Sequence, residues 1–573
     1  MLKITEEYPL IPIVVGIVGH RNLRTEDKGI LRKSIQDLLI EKQGKYPSTP
    51  FVMLSSLAEG ADRLAAEVAI ESKIPLLVPL PMPAGEYEKD FKSEKSIKEF
   101  RDLLEVAAGS FVVDGNASQD IQDDMDERER RYFEAGVYIA RQSQILIALW
   151  DGNDLGSKVG TSQIVKLKQN GLPDNPQSSP TLDPPEAGHV YHIVTPRDGS
   201  SAVPENAFSQ KILYPEVLVE SEDSNDHLFK ILENIDTFNK DVSKCLPSRQ
   251  DEMRASSNDL IPRESQALLS TKERVLLNIY AAADTMANMF QAKSKWAFRF
   301  LLFFVVIGFV CFQLYLELFK YPQILFVYPA AVVVALSFES YAERRKYQAR
   351  YLDYRAIAEG LRVSIFWRMA GITDDIASNY LSKQRSELDW IRQAIRNANI
   401  LALIREGKDT AKPLTISHDH FKMVMDRWVN NQRDWFKKRN NKHHLLFNRW
   451  HTCIYSLYYA GIAVVFFMLL MHSYFEQNPY LHHAAIISIA VSLALASVVS
   501  FYLEKVSYEE HFKQYNRMQY IFKSASKILS ESIHGKNYDK AKMTVLKLGK
   551  EALIENGDWV LLHRSRPTNM PKG

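Results

Sequence analysis

The chain is poor in cysteine and has almost no net charge. Its 573 residues include only three cysteines, Cys245, Cys311 and Cys453, which lie far apart. This scarcity argues against a disulfide framework and against a clustered thiolate site, so we expect no metal. A formal net charge of +2 provides no excess of cations for a polyanion, and we therefore expect no nucleic-acid partner.

The first third of the chain is a regular alternation of short apolar runs and amphipathic helical stretches. Runs that are apolar without a polar face are typical of strands covered on both sides. The pattern predicts an α/β domain over residues 1–200 with a doubly wound, mostly parallel sheet, then a linker with one amphipathic helix over 201–265. The predicted strands are 11–18, 50–57, 74–80, 110–113, 144–150 and 189–194.

Four longer apolar stretches follow. Because roughly 20 apolar residues match the hydrocarbon core of a bilayer, they predict an α-helical membrane region of four transmembrane helices. These form two hairpins, in domains 266–400 and 401–573. Lysine and arginine are concentrated on the outer flanks of the hairpins, which predicts that both chain termini are cytoplasmic. The stretches are 298–319, 324–338, 453–471 and 484–503.

The two hairpins also resemble each other. Five aromatic or acidic positions after the second stretch recur with identical spacing after the fourth, which indicates a parallel duplication. The fourth stretch carries small residues at four-residue spacing, a stripe suited to close helix packing within one molecule or between copies. The matching positions are Tyr341, Glu343, Tyr347, Tyr351 and Tyr354 with Tyr502, Glu504, Tyr508, Phe512 and Tyr515, and the stripe is Ser488, Ser492, Ala496 and Ser500.

Three loops are predicted to meet at the carboxyl edge of the sheet, where ligands of doubly wound folds bind. The first, GIVGHRNL, turns at Gly19 and presents His20 and Arg21. The forked guanidinium of an arginine matches the geometry of a phosphate. We therefore predict that Arg21 binds an anionic ligand, with a structural carboxylate as its alternative partner.

The second loop, SSLAEGADR, leads from a strand through Ser55 into a helix whose first turn holds small residues. Small residues let a ligand approach the free amides of a helix N-terminus. Glu59, Gly60 and Asp62 are therefore candidate ligand-binding residues. Alternatively, the two acids only favour the positive end of that helix.

The third loop, in ALWDGNDLGSKVGTSQIV, is built of small and polar residues between a strand and a helix. Asp151 and Gly152 end the strand, and Gly160 and Thr161 stand where a hydroxyl and free amides can hold a phosphate. Three such loops at the same edge of one sheet predict a nucleotide-like ligand.

These motifs resemble the SLOG family of Rossmann-like domains, which is related to the DprA protein and to cytokinin-activating phosphoribohydrolases. The residues that carry the resemblance are GHRNL, SSLAEGADRLAAEVA and the ALWDG…G…GT pattern. The hairpins, with AAADTMANMFQAK, WVNNQRDWF and DWVLLHRSRP, resemble SLATT domains, the two-helix membrane effectors associated with SLOG sensors. The resemblance implies a cytoplasmic sensor of a nucleotide or NAD-derived signal, fused to an effector in the bacterial inner membrane.

The resemblance also bears on catalysis. Hydrolytic relatives use a GGxGTxxE loop with an arginine on the preceding helix, whereas this chain reads KVGTSQIV and places Gln163 near the carboxylate position. Glutamine supplies neither charge nor basicity, so binding without turnover is favoured and no cofactor is required. Arg131, or its neighbour Arg130, is the nearest match to the arginine. Glu134 or Asp151 could substitute for the missing acid, so hydrolysis stays open.

We therefore expect a sensor and effector that binds a nucleotide-like signal, forms a homo-oligomer in the lipid bilayer and opens or disrupts it in antiphage defence. The first alternative is a membrane-anchored nucleotide phosphoribohydrolase or N-glycosidase. The second is a membrane scaffold that recruits a separate effector.

Overall fold

The computed structural model describes residues 9–113, 127–153, 160–171, 187–198, 204–215, 222–380, 385–407, 416–506 and 508–565. The chain divides into two compact units. The sheet unit comprises residues 1–284 and 357–417, and the helical unit comprises residues 285–356 and 418–573.

Seven strands form a single sheet in the described part of the sheet unit. They are β1 (Ile13–Gly19), β2 (Phe51–Leu54), β3 (Leu76–Leu80), β4 (Gly109–Val112), β5 (Ile145–Trp150), β6 (Val190–Val194) and β7 (Gln210–Leu213). Their spatial order is β4-β3-β2-β1-β5-β6-β7, and every neighbouring pair is parallel except β6 and β7. The predicted fold class, a Rossmann-like α/β domain followed by a helical region with four long apolar helices, is confirmed.

All six predicted strands are present; five of them are buried along all or nearly all of their length, whereas β4 is mostly half-buried. The seventh strand was not predicted. The strand Gln210–Leu213 has the sequence QKIL, is exposed or half-buried along its length, and pairs antiparallel with the edge of the sheet. Because an edge strand needs no continuous apolar run, these residues look like part of a polar linker.

Helices make up most of the rest of the described chain. They are α1 (Lys28–Lys45), α2 (Ala61–Glu71), α3 (Ala84–Tyr87), α4 (Glu94–Val106), α5 (Glu127–Gln142), α6 (Thr161–Asn170), α7 (Glu222–Cys245), α8 (Gln250–Leu260), α9 (Thr271–Glu317), α10 (Pro322–Arg344), α11 (Tyr347–Met369), α12 (Ile376–Asn379), α13 (Arg385–Glu406), α14 (His418–Met423), α15 (Asn431–Leu470), α16 (His472–Gln477), α17 (Pro479–Val506), α18 (Tyr508–His534) and α19 (Tyr538–Ser565).

Helix α13 completes the core of the sheet unit, although its residues come between the two predicted hairpins in the sequence. Ile400 is buried in the same apolar cluster as Val14 and Val52 of the central strands. The side-chain amide of Asn397 donates to the Pro12 carbonyl at 2.8 Å and to Gln144 Oε1 at 2.7 Å. The sheet unit therefore includes a segment that the predicted boundaries at 200, 265 and 400 assign to the first hairpin domain.

The order of the strands reverses direction between β1 and β5. Strands β2, β3 and β4 extend the sheet on one side of this pair, and β6 and β7 extend it on the other. In doubly wound sheets, ligands bind beyond the carboxyl ends of the strands at such a switch point. The loops after β1, β2 and β5 all begin at this edge.

The described part of the chain contains four helical stretches that are long and apolar enough to cross a membrane. In each half of this region two such stretches follow one another along the chain, as a duplicated hairpin requires. The chain is therefore a membrane protein by the length and composition of these helices. The stretches are Thr271–Glu317, Pro322–Met369, His418–Leu470 and Pro479–His534.

The small-residue stripe of α17 packs against α15 of the same chain. A Cβ added to Gly461 would lie 2.9 Å from the Ser492 hydroxyl oxygen, so the two helices approach closely there. Ala496 is buried in a cluster with Ile454 and Leu503. Two residues of the stripe, Ser492 and Ala496, therefore pack within one chain.

Candidate functional site

The loop after β1 is held between α2 and β5. A Cβ added to Gly19 would lie 2.5 Å from Ala61 Cβ and 2.7 Å from the Leu149 carbonyl oxygen, so only glycine allows this approach. The His20 amide donates to the Leu149 carbonyl at 3.0 Å, and the Ala61 amide donates to the His20 carbonyl at 3.0 Å. These bonds bring the first two predicted loops together with the end of β5.

His20 contacts the beginning of the third loop. The Asp151 amide donates to His20 Nε2 at 3.1 Å, and Asp151 Oδ1 lies 3.5 Å from the same nitrogen. Burial lowers the pKa of His20, although the Asp151 carboxylate opposes this shift. A lowered pKa agrees with a neutral ring whose Nε2 accepts a hydrogen bond. Gly152, with a φ of 89°, turns the chain immediately after Asp151.

The loop after β2 is a tight turn that requires glycine at one position. Gly60 has a φ of 86°, and a Cβ there would lie 2.3 Å from the Arg21 carbonyl oxygen and 2.4 Å from that of His20. The Ser55 hydroxyl donates to the Asp62 carbonyl at 2.9 Å. The backbone of this loop therefore lies directly against the backbone of the loop after β1.

Asp62 holds this turn closed from the inside. Its carboxylate accepts hydrogen bonds from the amides of Ser56 and Ala58. Burial raises the pKa of Asp62 to about 7, although the two amides and the nearby Arg21 and Arg63 guanidinium groups favour the charged form. The carboxyl group is therefore a structural part of the loop that titrates close to physiological pH.

Glu59 is bound to the beginning of α4. Its carboxylate accepts a hydrogen bond from the Ser96 hydroxyl. Ser96 in turn accepts two hydrogen bonds from Arg63, at 3.0 Å to its carbonyl and 2.8 Å to its hydroxyl oxygen. Glu59 therefore ties the loop to a neighbouring helix.

Arg21 is exposed and has no carboxylate partner among the described residues. Its guanidinium lies over the Tyr132 ring of α5, 4.5 Å from the ring centroid. No carboxylate oxygen of the described residues lies within 4.0 Å of its nitrogens. The alternative of a structural ion pair is therefore not realised in the described chain, and the cation at the switch point faces outward.

Several residues that complete this edge were missed in the sequence. The Tyr132 hydroxyl donates to the Asp90 carboxylate, and Arg128 Nε donates to both Asp90 oxygens at 2.9 and 3.0 Å. Tyr87, at the end of α3, is buried beside the Tyr132 ring, with 5.8 Å between ring centroids. These aromatic rings follow no sequence motif, so only the fold could reveal them.

The two residues proposed for hydrolysis lie on α5, the helix that carries Tyr132. Arg131 pairs with Glu127 at 2.8 Å. Glu134 is buried, burial raises its pKa, and Arg130 lies 3.3 Å from one of its oxygens. In the described part of the chain, Tyr132 is the α5 residue whose side chain contacts Arg21.

The remaining predicted residues lie at the beginning of α6. Gly160, with a φ of 142°, precedes the helix, Thr161 is its first residue, and Gln163 is half-buried in the first turn. The N-cap residue Gly160 has no side chain with which to cap this helix. Residues 154–159, which join it to β5, lie outside the described part of the chain.

Among the described residues, no group of three or more histidine, cysteine, aspartate or glutamate side chains is placed to hold a metal ion. No protein-family model, curated protein or solved structure matches the chain. The proposed function therefore rests on the fold and on the geometry of this edge.

Proposed function

We propose that this protein is a membrane-bound sensor whose sheet unit binds a nucleotide or a nucleotide-derived anion, including NAD derivatives, and thereby changes the state of its membrane helices. From the resemblance to SLOG and SLATT domains, we propose that the protein acts in antiphage defence at the bacterial inner membrane. We propose that both of its termini are cytoplasmic. We propose that the ligand acts as a signal and is not turned over, because Gln163 stands near the position that a carboxylate occupies in the hydrolytic members of the family that the chain resembles.

One observation carries the binding proposal. Arg21 lies at the switch point of the sheet, is fixed in place over Tyr132, and has no carboxylate partner among the described residues. An arginine without a carboxylate partner is suited to bidentate binding of a phosphate group. The N-termini of α2 and α6 point the positive ends of two helix dipoles toward the same edge.

The effector part of the proposal rests on the four long helices. Large apolar side chains such as Phe326 and Phe466 are exposed on them in the single chain. These surfaces suit lipid or further copies of the chain, so we propose a homo-oligomer that opens a pore or disrupts the bilayer. Helices α9 and α11 contribute residues to both units and offer a path for the change.

The binding step is tested by thermal unfolding of the full chain in lipid nanodiscs. A ligand at a hundred times its dissociation constant adds about 2.7 kcal/mol of stability. We expect such a shift with at least one member of a panel of mononucleotides, cyclic nucleotides and NAD derivatives. Arg21→Ala should abolish it, whereas Arg24→Ala, which removes an arginine already paired with Glu26, should not.

The effector step is tested separately with liposomes that contain the full chain and a trapped dye. Addition of the compound that stabilises the protein should release the dye, and the Arg21→Ala variant should stay sealed. Liposomes that remain sealed while the compound binds would overturn the effector part and leave the binding part standing.

A further inference from the structure

The hydroxyl of Tyr87 is an unusual feature of the carboxyl edge. Tyr87 is only 1% exposed, and its ring packs among Phe91, Phe100 and Tyr132 at centroid distances of 5.0, 5.5 and 5.8 Å. Its hydroxyl oxygen is buried and has no hydrogen-bond partner within the described part of the chain. A buried hydroxyl without a partner lowers stability, and phenylalanine would fill the same space without that cost.

The groups around this hydroxyl are those of the candidate site. Asp62, Tyr132, Arg21 and Arg63 are the ionisable neighbours that interact with it electrostatically. Tyr87 packs beside the Tyr132 ring, and the Arg21 guanidinium lies over that same ring.

A second donor in the same cluster is also buried without a partner. Arg63 is 5% exposed, and its Nε and Nη1 nitrogens donate to the Leu57 carbonyl and to Ser96. Its Nη2 nitrogen has no partner among the described residues. The Tyr87 hydroxyl and Arg63 Nη2 are thus two buried donors in the same cluster for which the described chain provides no acceptor.

We propose that the Tyr87 hydroxyl is a ligand-binding group, which donates a hydrogen bond to a phosphoryl oxygen of the nucleotide that Arg21 holds. This inference rests on the proposed function and adds a location to it. The phosphate lies where Arg21, the Tyr132 ring and Tyr87 meet.

The test compares two Tyr→Phe variants of the full chain in nanodiscs. Tyr87→Phe removes the proposed donor. Tyr191→Phe is the matched control, because its hydroxyl is also buried without a partner in the described chain but lies near the amino end of β6. Thermal unfolding without ligand is measured first, followed by titration with inorganic phosphate, AMP and ADP-ribose.

We expect Tyr87→Phe to unfold at the same or a higher temperature than the wild type without ligand, and to bind the phosphate-containing probe at least tenfold more weakly. Tyr191→Phe should bind like the wild type. Unchanged binding by Tyr87→Phe, equal weakening in both variants, or a lower unfolding temperature for ligand-free Tyr87→Phe would each overturn the inference but not the proposed function. A wild type that binds neither these probes nor any member of the wider panel of nucleotides and NAD derivatives overturns both.

Discussion

His20 and Arg21 are neighbours in the sequence, but their side chains have opposite environments. The His20 ring is turned toward Asp151 and burial lowers its pKa, whereas the Arg21 guanidinium is exposed above Tyr132. The backbone between them is held by Gly60, which lies against both carbonyl oxygens. One residue therefore fixes the loop and the next is free to meet a ligand.

Asp62 should make ligand binding depend on pH. Its carboxyl group is neutral below a pKa of about 7 and negative above it, and it lies near Arg21. A negative charge repels an anionic ligand, so affinity for ADP-ribose, whose diphosphate charge is constant in this range, should fall about fivefold to tenfold between pH 6 and pH 8. Titration calorimetry at both pH values measures this.

The matched variant for this prediction is Asp62→Asn, whose amide oxygen can still accept from Ser56 and Ala58. Its affinity should be the same at pH 6 and pH 8. The stability of the wild type should also fall between the ordinary aspartate pKa of 3.8 and about 7, because the folded state binds the extra proton in this window. A pH dependence that persists in Asp62→Asn would show that another group is responsible.

Gly60→Ala should unfold the loop after β2. The added Cβ would meet two carbonyl oxygens, and the φ of 86° is unfavourable for alanine, so we expect a loss of about 2 kcal/mol or more of unfolding free energy. The control is Gly29→Ala in α1, where a Cβ meets nothing within 4 Å and should stabilise by about 0.5–1 kcal/mol. Denaturant unfolding of both variants measures the contrast.

At the scale of elements, the sheet unit depends on helices that lie far away in the sequence. Asn239 of α7 bonds both the amide and the carbonyl of Ile11, at 2.9 and 2.8 Å. Asn397 of α13 bonds the neighbouring Pro12 carbonyl. Two buried asparagines thus form hydrogen bonds with the backbone just before β1. These bonds lie at the amino edge of the sheet, opposite the candidate site.

Asn397→Ala should destabilise the sheet unit by about 2–3 kcal/mol. The variant leaves the Pro12 carbonyl without the donor that Asn397 provides, and it removes one of two hydrogen bonds to Gln144 Oε1, which still accepts from the Val14 amide at 3.0 Å. Asn170→Ala, at the exposed end of α6, should change stability by no more than about 0.5 kcal/mol. Equal unfolding midpoints for the two variants would mean that the α13 contact does not stabilise the unit.

These elements show what the sequence could and could not predict. Buried apolar runs marked six strands and four membrane helices, because burial on both faces and a lipid environment both demand uninterrupted apolar residues. The strand Gln210–Leu213 and the helix α13 have mixed composition, and only their tertiary partners reveal their places. At the site, glycine and arginine positions were visible as motifs, whereas Tyr87 and Tyr132 were not.

At the scale of the whole molecule, the predicted topology can be measured in cells. We expect Lys320→Cys and Asn478→Cys, in a chain without its native cysteines, to react with a membrane-impermeant maleimide added outside. Ser248→Cys, in the exposed turn after α7, should react only after permeabilisation. Labelling of Ser248→Cys in intact cells would reverse the proposed orientation.

The place of α13 in the sheet core also sets an order of events during synthesis. The ribosome makes Arg385–Glu406 only after both apolar helices of the first hairpin have emerged. At usual elongation rates, the strands wait roughly ten seconds or more between the end of α7 and the arrival of this helix. The sheet unit therefore reaches its finished state only in a nascent chain that already contains the first hairpin.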